Sequence, residues 1–344
     1  MRRWLALAGV AAACAACGSG SGLHIENGGR TVHVGPVAPP TVPPQRHNQR
    51  PAQPGVHLGG PAAIAYDAGT LWCAVYPGPG LAGSLVKIDS TTGRRVGAPV
   101  PLPPAGRPYL LAVGPDGVWL AAGPRLWQVD PDTAQAAAAT PLPGRVTALQ
   151  DSGGAVWVTV TTAGGGRLVR LTPATGNISA QAPVGPSPSA LTVATGSAWV
   201  TDSVDQSILR FSLAKGAIRR SGEVSLPRSP VRAPTQITVY NGFVWVYERG
   251  RVLRISPSTD HVLGTTTIAS VPGGTIAAGS GGVWVITRTR ARGLGAVRLL
   301  DGATGLAAGN RVVVGGRPTA IVTDGRAAWV FDSRANRLVR VFPA

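Results

Sequence analysis

The chain has 344 residues, including 47 glycines and 31 prolines, and 44% of its residues are hydrophobic. So many turn-forming residues exclude a helical bundle, and the apolar content excludes a disordered chain, which leaves a β-rich globular protein. The net charge of +17 favours anionic partners. Lys87 and Lys215 are the only lysines, and an arginine surplus of this kind also arises from a GC-rich genome, an origin that we weigh above a functional one.

Residues 1–17 have the features of a secretory signal: a basic start at Arg2 and Arg3, an apolar stretch and small residues before Cys17. The apolar stretch is too short for a permanent membrane-spanning helix. A cysteine after small residues, followed by the glycines and serines of 18–22, resembles the signal of bacterial lipoproteins. The resemblance implies that Cys17, or alternatively Cys14, carries lipid and anchors an extracytoplasmic protein to the bacterial cell membrane.

Residues 18–53 contain closely spaced prolines and no sustained apolar pattern, which predicts an extended, flexible stalk. Cys73 is the one cysteine beyond the signal, so we expect no disulfide within the domain and no cysteine metal cluster. Because Cys73 lies in the apolar run 71–75, we expect a buried, unreactive side chain rather than a nucleophile.

The rest of the chain repeats a short motif of glycine, tryptophan and an aliphatic residue seven times. The tryptophans of this motif, at intervals of 38–47 residues, are Trp72, Trp119, Trp157, Trp199, Trp245, Trp284 and Trp329. Each interval has room for four short strands joined by Gly, Pro, Asp and Thr turns, which is one blade of a β-propeller. We therefore predict an all-β, seven-bladed β-propeller over residues 54–344, with the tryptophans packed between neighbouring blades.

The two ends of this region complement each other. The last repeat stops directly after its third strand, and residues 55–64 parallel residues 311–321 near the end of the chain. We expect residues 56–58 to supply the missing fourth strand of the last blade, so that an N-terminal strand closes the ring. Such a closure removes an exposed sheet edge.

The repeat pattern, as written at residues 154–176, is similar to the YVTN/NHL-type propellers of bacterial secreted proteins and lipoproteins. That resemblance implies the fold more than one activity, since relatives include binding modules, sensor domains and a few enzymes. The streptogramin lyases, which are distantly similar, imply a site with histidine, glutamate and a metal at the centre of the ring.

The histidines of this chain do not fit such a site. Three fall in the stalk, one in the closing strand and one in a turn on the opposite side; they are His24, His33, His47, His57 and His261. Because no two of them can converge, we predict no catalytic residue, no metal and no cofactor, and we favour a protein that is not an enzyme.

Three carboxylates, Asp202, Glu248 and Asp332, each follow a repeat tryptophan by three residues. They should share one layer near the loop between the second and third strands. We favour a role in capping that turn by accepting backbone N–H bonds; the alternative is a cation site.

Arginines are placed where a propeller brings residues to the rim of its central channel. One group precedes inner strands and another lies in the loop between the second and third strands of the sixth blade; they are Arg107, Arg145, Arg232 and Arg317, and Arg288, Arg290 and Arg292. We predict an anion- or partner-binding site, because converging guanidinium groups suit a carboxylate, phosphate or acidic glycan. The competing interpretation, to which we give more weight, is that these arginines simply project from loops.

These features together predict a monomeric, lipid-anchored propeller that acts as a binding or scaffolding module. Its partners would be the membrane, through the lipid, and an anionic envelope polymer or a partner protein. Tyr109 is the only aromatic residue near the arginines, which argues against nucleic acid. The alternative function is a lyase- or hydrolase-type enzyme with its site at the channel mouth.

Overall fold

Short strands make up most of the described chain, and the second strands of the repeats are buried almost throughout. The computed structural model describes residues 56–344 except 61, 106–107, 116, 131, 134, 228–232, 270–274, 280, 290–292 and 344. The signal with Cys14 and Cys17, the stalk and residues 54–55 lie outside the described residues. The described part of the chain contains no helix whose length and hydropathy would suit a membrane crossing.

The strands form seven antiparallel sheets, each of which is one blade. Blade 1 consists of β1 (Ala62–Asp67), β2 (Thr70–Val75), β3 (Gly83–Asp89) and β4 (Arg95–Leu102), and blade 2 of β5 (Leu110–Gly114), β6 (Gly117–Ala122), β7 (Arg125–Asp130), β8 (Gln135–Ala136) and β9 (Thr140–Pro141). Blade 3 consists of β10 (Arg145–Asp151), β11 (Val156–Thr162), β12 (Gly165–Leu171) and β13 (Ile178–Val184). Blade 4 consists of β14 (Pro188–Ala194), β15 (Ser197–Asp202), β16 (Ser207–Ser212) and β17 (Arg219–Ser225). Blade 5 consists of β18 (Pro234–Tyr240), β19 (Phe243–Glu248), β20 (Arg251–Ile255) and β21 (Val262–Thr267). Blade 6 consists of β22 (Ile276–Gly279), β23 (Gly282–Arg288), β24 (Gly295–Asp301) and β25 (Ala307–Gly315). Blade 7 consists of β26 (Pro318–Thr323), β27 (Ala328–Asp332) and β28 (Arg337–Val341). The predicted seven-bladed propeller is thereby confirmed.

Blade 2 departs from the simple four-strand meander, and blade 4 has an additional turn in one of its connections. In blade 2 the outer strand is split, because β8 and β9 both pair with β7 and the alanine-rich residues 137–139 lie between them. In blade 4 a single 3-10 turn, Ala214–Gly216, joins β16 to β17.

Blade 7 has three strands of its own, and residues 56–58 complete it. The N–H of Leu58 donates to the Asn336 carbonyl oxygen, and the N–H of Leu338 donates to the Val56 carbonyl oxygen, both at 2.8 Å. His57 pairs with Arg337 in an antiparallel bridge. The predicted closure by an N-terminal strand is confirmed.

The hydrophobic core lies between the blades rather than within them. Seven clusters of buried residues are present, and each joins two neighbouring blades, including blade 7 to blade 1. The repeat tryptophans lie on the second strands, and all except the partly exposed Trp72 are buried. A sheet with two apolar faces cannot bury both alone, so each blade depends on both neighbours for its stability.

Candidate functional site

The meander order gives the ring two different faces. Since the strands of a blade run up and down in sequence order, the connections between blades and the loops between second and third strands lie at one end. We call this end the connecting face. The other end carries the turns between first and second strands and between third and fourth strands, and we call it the turn face. On the connecting face of blade 4, the N–H of Ser203 donates to the Ser187 carbonyl oxygen at 2.9 Å, which joins the two kinds of loop.

A buried carboxylate fixes the connecting face of blade 4. Asp202 Oδ2 accepts the N–H of Ser187 at 2.7 Å, and Asp202 Oδ1 accepts the N–H groups of Val204 and Asp205, each at 2.9 Å. One side chain thus holds the incoming connection and the following loop together. The predicted turn-capping role of Asp202 is confirmed.

Asp332 does the same in blade 7. Its carboxylate accepts the N–H groups of Gly316 at 3.2 Å, Arg317 at 2.9 Å and Arg334 at 3.1 Å. A Cβ on Gly315 would lie 2.0 Å from Asp332 Oδ2, and Gly315 has a φ of +146°, so only glycine fits beside the carboxylate. The capping prediction is confirmed for Asp332, and its hydrogen bonds fix the backbone of the loop that carries Arg317.

Glu248 differs from the other two. Its side chain is buried, and it accepts a hydrogen bond from Nε of Arg251 in an ion pair across the tight β19–β20 turn. Among the described residues no backbone N–H group donates to Glu248, so the capping prediction is not confirmed for it; the longer glutamate side chain reaches along the hairpin to a guanidinium group. Across the described residues, no group of three or more His, Cys, Asp or Glu side chains is arranged to hold a metal ion.

The central channel contains a cavity of about 610 Å³. Its lining comes from the first strands of all seven blades, together with Tyr247 and Arg249 from the connecting face of blade 5. Because the lining residues belong to the halves of these strands that follow the blade connections, the cavity opens on the connecting face. Tyr247 and Arg249 are the ionisable side chains among the described lining residues, and these residues form no acid–base pair.

One layer of the channel is aliphatic. In every blade, the residue of the first strand that pairs with the residue after the repeat tryptophan is leucine or isoleucine. These residues are Ile64, Leu111, Leu149, Leu191, Ile237, Ile276 and Ile321. All except Ile237 line the cavity, and the lining extends no deeper than this ring.

Hydroxyl groups lie nearer the mouth. In blades 3, 4, 5 and 7 the pairing register between the first two strands shifts by one residue, and the extra residue is Thr147, Ser189, Thr235 or Thr319. All four line the cavity. Bulges of this kind redirect side chains and occur beside functional sites. The sequence signal was available but missed: in blades 4, 5 and 7 a proline directly precedes the hydroxyl residue.

The structure places three of the seven predicted arginines on the connecting face. Arg145 begins β10 and lines a side cavity of about 480 Å³ that shares Thr147 and Ser189 with the channel. Arg317 directly precedes β26, and Arg288 ends β23; all three side chains are exposed. None of the three lines the channel cavity itself. Arg107, Arg232, Arg290 and Arg292 lie outside the described residues.

The sequence prediction missed Arg249. It occupies the same loop in blade 5 that Arg288 occupies in blade 6, and it does line the channel. The prediction selected the arginines in the loop between the second and third strands of blade 6, and the same criterion applied to blade 5 would have identified Arg249. Among the described residues, Arg249 is the arginine that lines the channel cavity.

Carboxylates are distributed unevenly between the two faces. Among the described residues, the turn face carries Asp67, Asp89, Asp130, Asp132, Asp151, Asp260, Asp301 and Asp324, and the connecting face carries Asp202, Asp205, Glu248 and Asp332. Glu223 lies within the outer strand β17 and pairs with Arg220. Three of the four on the connecting face are buried and bonded inside the protein, which leaves Asp205 exposed. The exposed charge of the connecting face is therefore mainly positive.

Other basic residues have a structural role. In five blades a cation on the third strand pairs with the repeat tryptophan of the second strand; the five are Lys87, Arg170, Arg210, Arg254 and Arg340. Four of them stack on that tryptophan, at 5.1–5.9 Å from the ring centroid, and Arg254 lies over Phe243 at 4.8 Å. This repeated contact accounts for part of the arginine surplus without any ligand.

Two of these arginines also reach the next blade. Nη1 of Arg210 lies 3.3 Å from Asp260 Oδ1 in the third-to-fourth turn of blade 5. Nη1 of Arg340 donates to the Thr91 carbonyl oxygen of blade 1 at 3.0 Å, across the closure of the ring. Blade 6 has Leu299 at this position, and blade 7, its neighbour, has no turn of its own between third and fourth strands to receive a cation.

The remaining reactive side chains lie apart from the channel. Cys73 is fully buried, which confirms the predicted burial, and burial raises its pKa to about 12. His57 lies exposed in the closing segment, and His261 lies exposed between β20 and β21, on the turn face as expected.

Comparison with known proteins supports the fold. No protein-family model and no curated protein matches the chain. Among solved structures, BamB from Moraxella catarrhalis is similar with a TM-score of 0.57 and 12% identity, covering 85% of this chain and 99% of that one. Hydrazine synthase from Kuenenia stuttgartiensis is similar with a TM-score of 0.65 and 13% identity, covering 84% of this chain and 97% of that one. At such identities the likeness extends to the propeller fold alone.

Proposed function

We propose that the protein is a lipid-anchored, extracytoplasmic binding or scaffolding module that engages an anionic envelope component or a partner protein through its connecting face. Residues 1–17 would serve as signal with lipid on Cys17, residues 18–53 as a stalk, and residues 54–344 as the monomeric propeller. The similarity of the repeats to YVTN/NHL-type propellers supports this assignment. The unequal distribution of exposed charge between the two faces is the observation that carries it.

The physical argument is electrostatic. Exposed arginines that have no carboxylate partner keep their full attraction for an anion, whereas arginines beside aspartates are partly neutralised. On the connecting face, Arg145, Arg288 and Arg317 are exposed and make no ion pair with a described residue. Their guanidinium groups are available to carboxylates or phosphates of a polymer.

The test compares two triple variants with the same change of charge. The first replaces Arg145, Arg288 and Arg317 by glutamine; the matched control replaces three exposed arginines at the turn face, Arg94, Arg219 and Arg326. A chain that begins at residue 18 contains every residue that the structure describes and lacks the lipid. Its retention is measured on immobilised teichoic acid and on immobilised alginate between 50 and 200 mM salt.

The first triple variant should bind about tenfold more weakly than the control at the lowest salt, since each exposed charge contact contributes about 0.5–1 kcal/mol. The difference should shrink as salt screens the contacts. Equal retention of the two triple variants on both polymers would overturn binding through this face.

A further inference from the structure

The central channel is polar on one side and apolar on the other. Blades 5, 6 and 7 contribute Thr235, Gln236, Thr275 and Thr319 to its lining. Blades 1 and 2 contribute only apolar residues, among them Ala63 and Leu110, and the hydroxyl residues of blades 3 and 4, Thr147 and Ser189, are bonded within the protein. Together with the layer of leucine and isoleucine side chains deeper in the channel, these residues give the cavity an amphipathic surface that is open to solvent at the connecting face.

The hydroxyl groups on the polar side are free to bind a ligand. Thr235, Thr275 and Thr319 make no side-chain hydrogen bond to a described residue. In contrast, Ser189 Oγ in blade 4 donates to the Pro234 carbonyl oxygen at 2.7 Å, and Thr147 in blade 3 bonds with Thr159 at 2.9 Å between hydroxyl oxygens. Hydroxyl and amide groups both donate and accept, so this arc matches the hydroxyl groups of a saccharide.

Arg249 adds one positive charge to the same half of the channel. Its guanidinium group has no ion-pair or hydrogen-bond partner among the described residues, and no carboxylate is present among the described lining residues. A planar guanidinium group binds a carboxylate through two parallel hydrogen bonds. One such group in an otherwise neutral lining favours a ligand whose sugar units each carry a single carboxylate over one with clustered phosphates.

We infer that the channel is a binding site for an acidic saccharide, a short uronate chain. Its carboxylate would bind Arg249, its hydroxyl groups the arc of Thr235, Thr275 and Thr319, and its C–H faces the aliphatic side. The cavity of about 610 Å³ falls within the roughly 300–1,000 Å³ typical of small-molecule sites. The inference rests on the proposed binding role of the connecting face but uses residues that the polymer test leaves unchanged, so the two can fail separately.

Titration calorimetry on the chain that begins at residue 18 tests this site, with trigalacturonate as the probe and maltotriose and acetate as comparisons. Trigalacturonate should bind in a 1:1 ratio, and both comparison ligands should bind at least about tenfold more weakly, since each lacks one of the two kinds of contact. Arg249→Gln should weaken trigalacturonate binding about tenfold or more and leave maltotriose unchanged.

Two further variants separate recognition of hydroxyl groups from simple attraction of an anion. Thr319→Val removes the hydroxyl at nearly constant volume and should weaken trigalacturonate binding severalfold, whereas Thr319→Ser keeps the hydroxyl and should retain binding. The inference is overturned if trigalacturonate does not bind at millimolar concentration, if acetate binds equally well, or if Thr319→Val and Arg249→Gln bind as the parent chain does.

Discussion

Replacing Asp202 by alanine should loosen the connecting face of blade 4. Asp202 is fully buried, and its carboxylate accepts three backbone N–H groups at 2.7–2.9 Å. The variant leaves these donors, from Ser187, Val204 and Asp205, without an acceptor. Asp202→Asn keeps one carbonyl oxygen but places an NH₂ group against at least one donor, so its effect should be smaller.

The expected magnitude follows from these contacts. A hydrogen bond to a charged group contributes about 1.5–3 kcal/mol, which gives a gross loss of about 4–9 kcal/mol for three. Part of that loss is offset, because the buried carboxylate was desolvated on folding and water can reach the loop amides in the variant. We expect a decrease of about 3 kcal/mol in the free energy of unfolding, and a Tm lower by about 5–10 °C.

A double-mutant cycle with Gly185 makes the prediction sharper. A Cβ on Gly185 would lie 2.3 Å from Asp202 Oδ2, so Gly185→Ala should destabilise the parent chain but should cost much less when Asp202 is already alanine. The coupling free energy, from urea unfolding of the four proteins, should exceed about 1 kcal/mol. The reasoning is refuted if Asp202→Ala loses less than about 1 kcal/mol or if Gly185→Ala costs the same in both backgrounds.

Three other predictions concern the closure, the buried thiol and acid stability. Arg340 joins blade 7 to blade 1, so Arg340→Gln should lower the free energy of unfolding by about 2 kcal/mol, whereas Arg326→Gln, at an exposed position, should leave it unchanged. Equal Tm values for these two variants would contradict this prediction. Cys73, with a pKa raised to about 12, should react with a thiol reagent only after unfolding, and rapid labelling of the native protein would show otherwise. The backbone N–H and then the hydroxyl of Thr92 hold the pKa of Asp89 below 3.8, so its stabilisation is present above that value and is lost as pH falls through the folded-state pKa. Asp89→Asn should therefore lower the Tm at pH 7 and match the parent chain in strong acid; a constant difference would refute the assignment.

The candidate site was only partly predictable. Arg145, Arg288 and Arg317 lie on the connecting face as expected, because their positions between strands follow from the blade register. The hydroxyl residues at the bulges and Arg249 were missed, because the sequence pattern does not reveal which side chains of neighbouring blades reach the channel. Glu248 shows the same limit: it shares a sequence position with Asp202 and Asp332, but one additional methylene group takes it to Arg251 instead.

The amino-acid sequence by itself determined the number of blades, their boundaries and the closure at residues 56–58. These depend on local pairing, since each blade is built from adjacent hairpins and its tryptophan recurs at a nearly regular interval. Only the tertiary structure shows which arginines join neighbouring blades and which one of the described arginines lines the channel. Arg340 meets Thr91 across 249 positions of sequence, and the channel lining joins residues from all seven repeats. Such contacts exist only when the ring closes, because each of them joins residues that no single repeat contains.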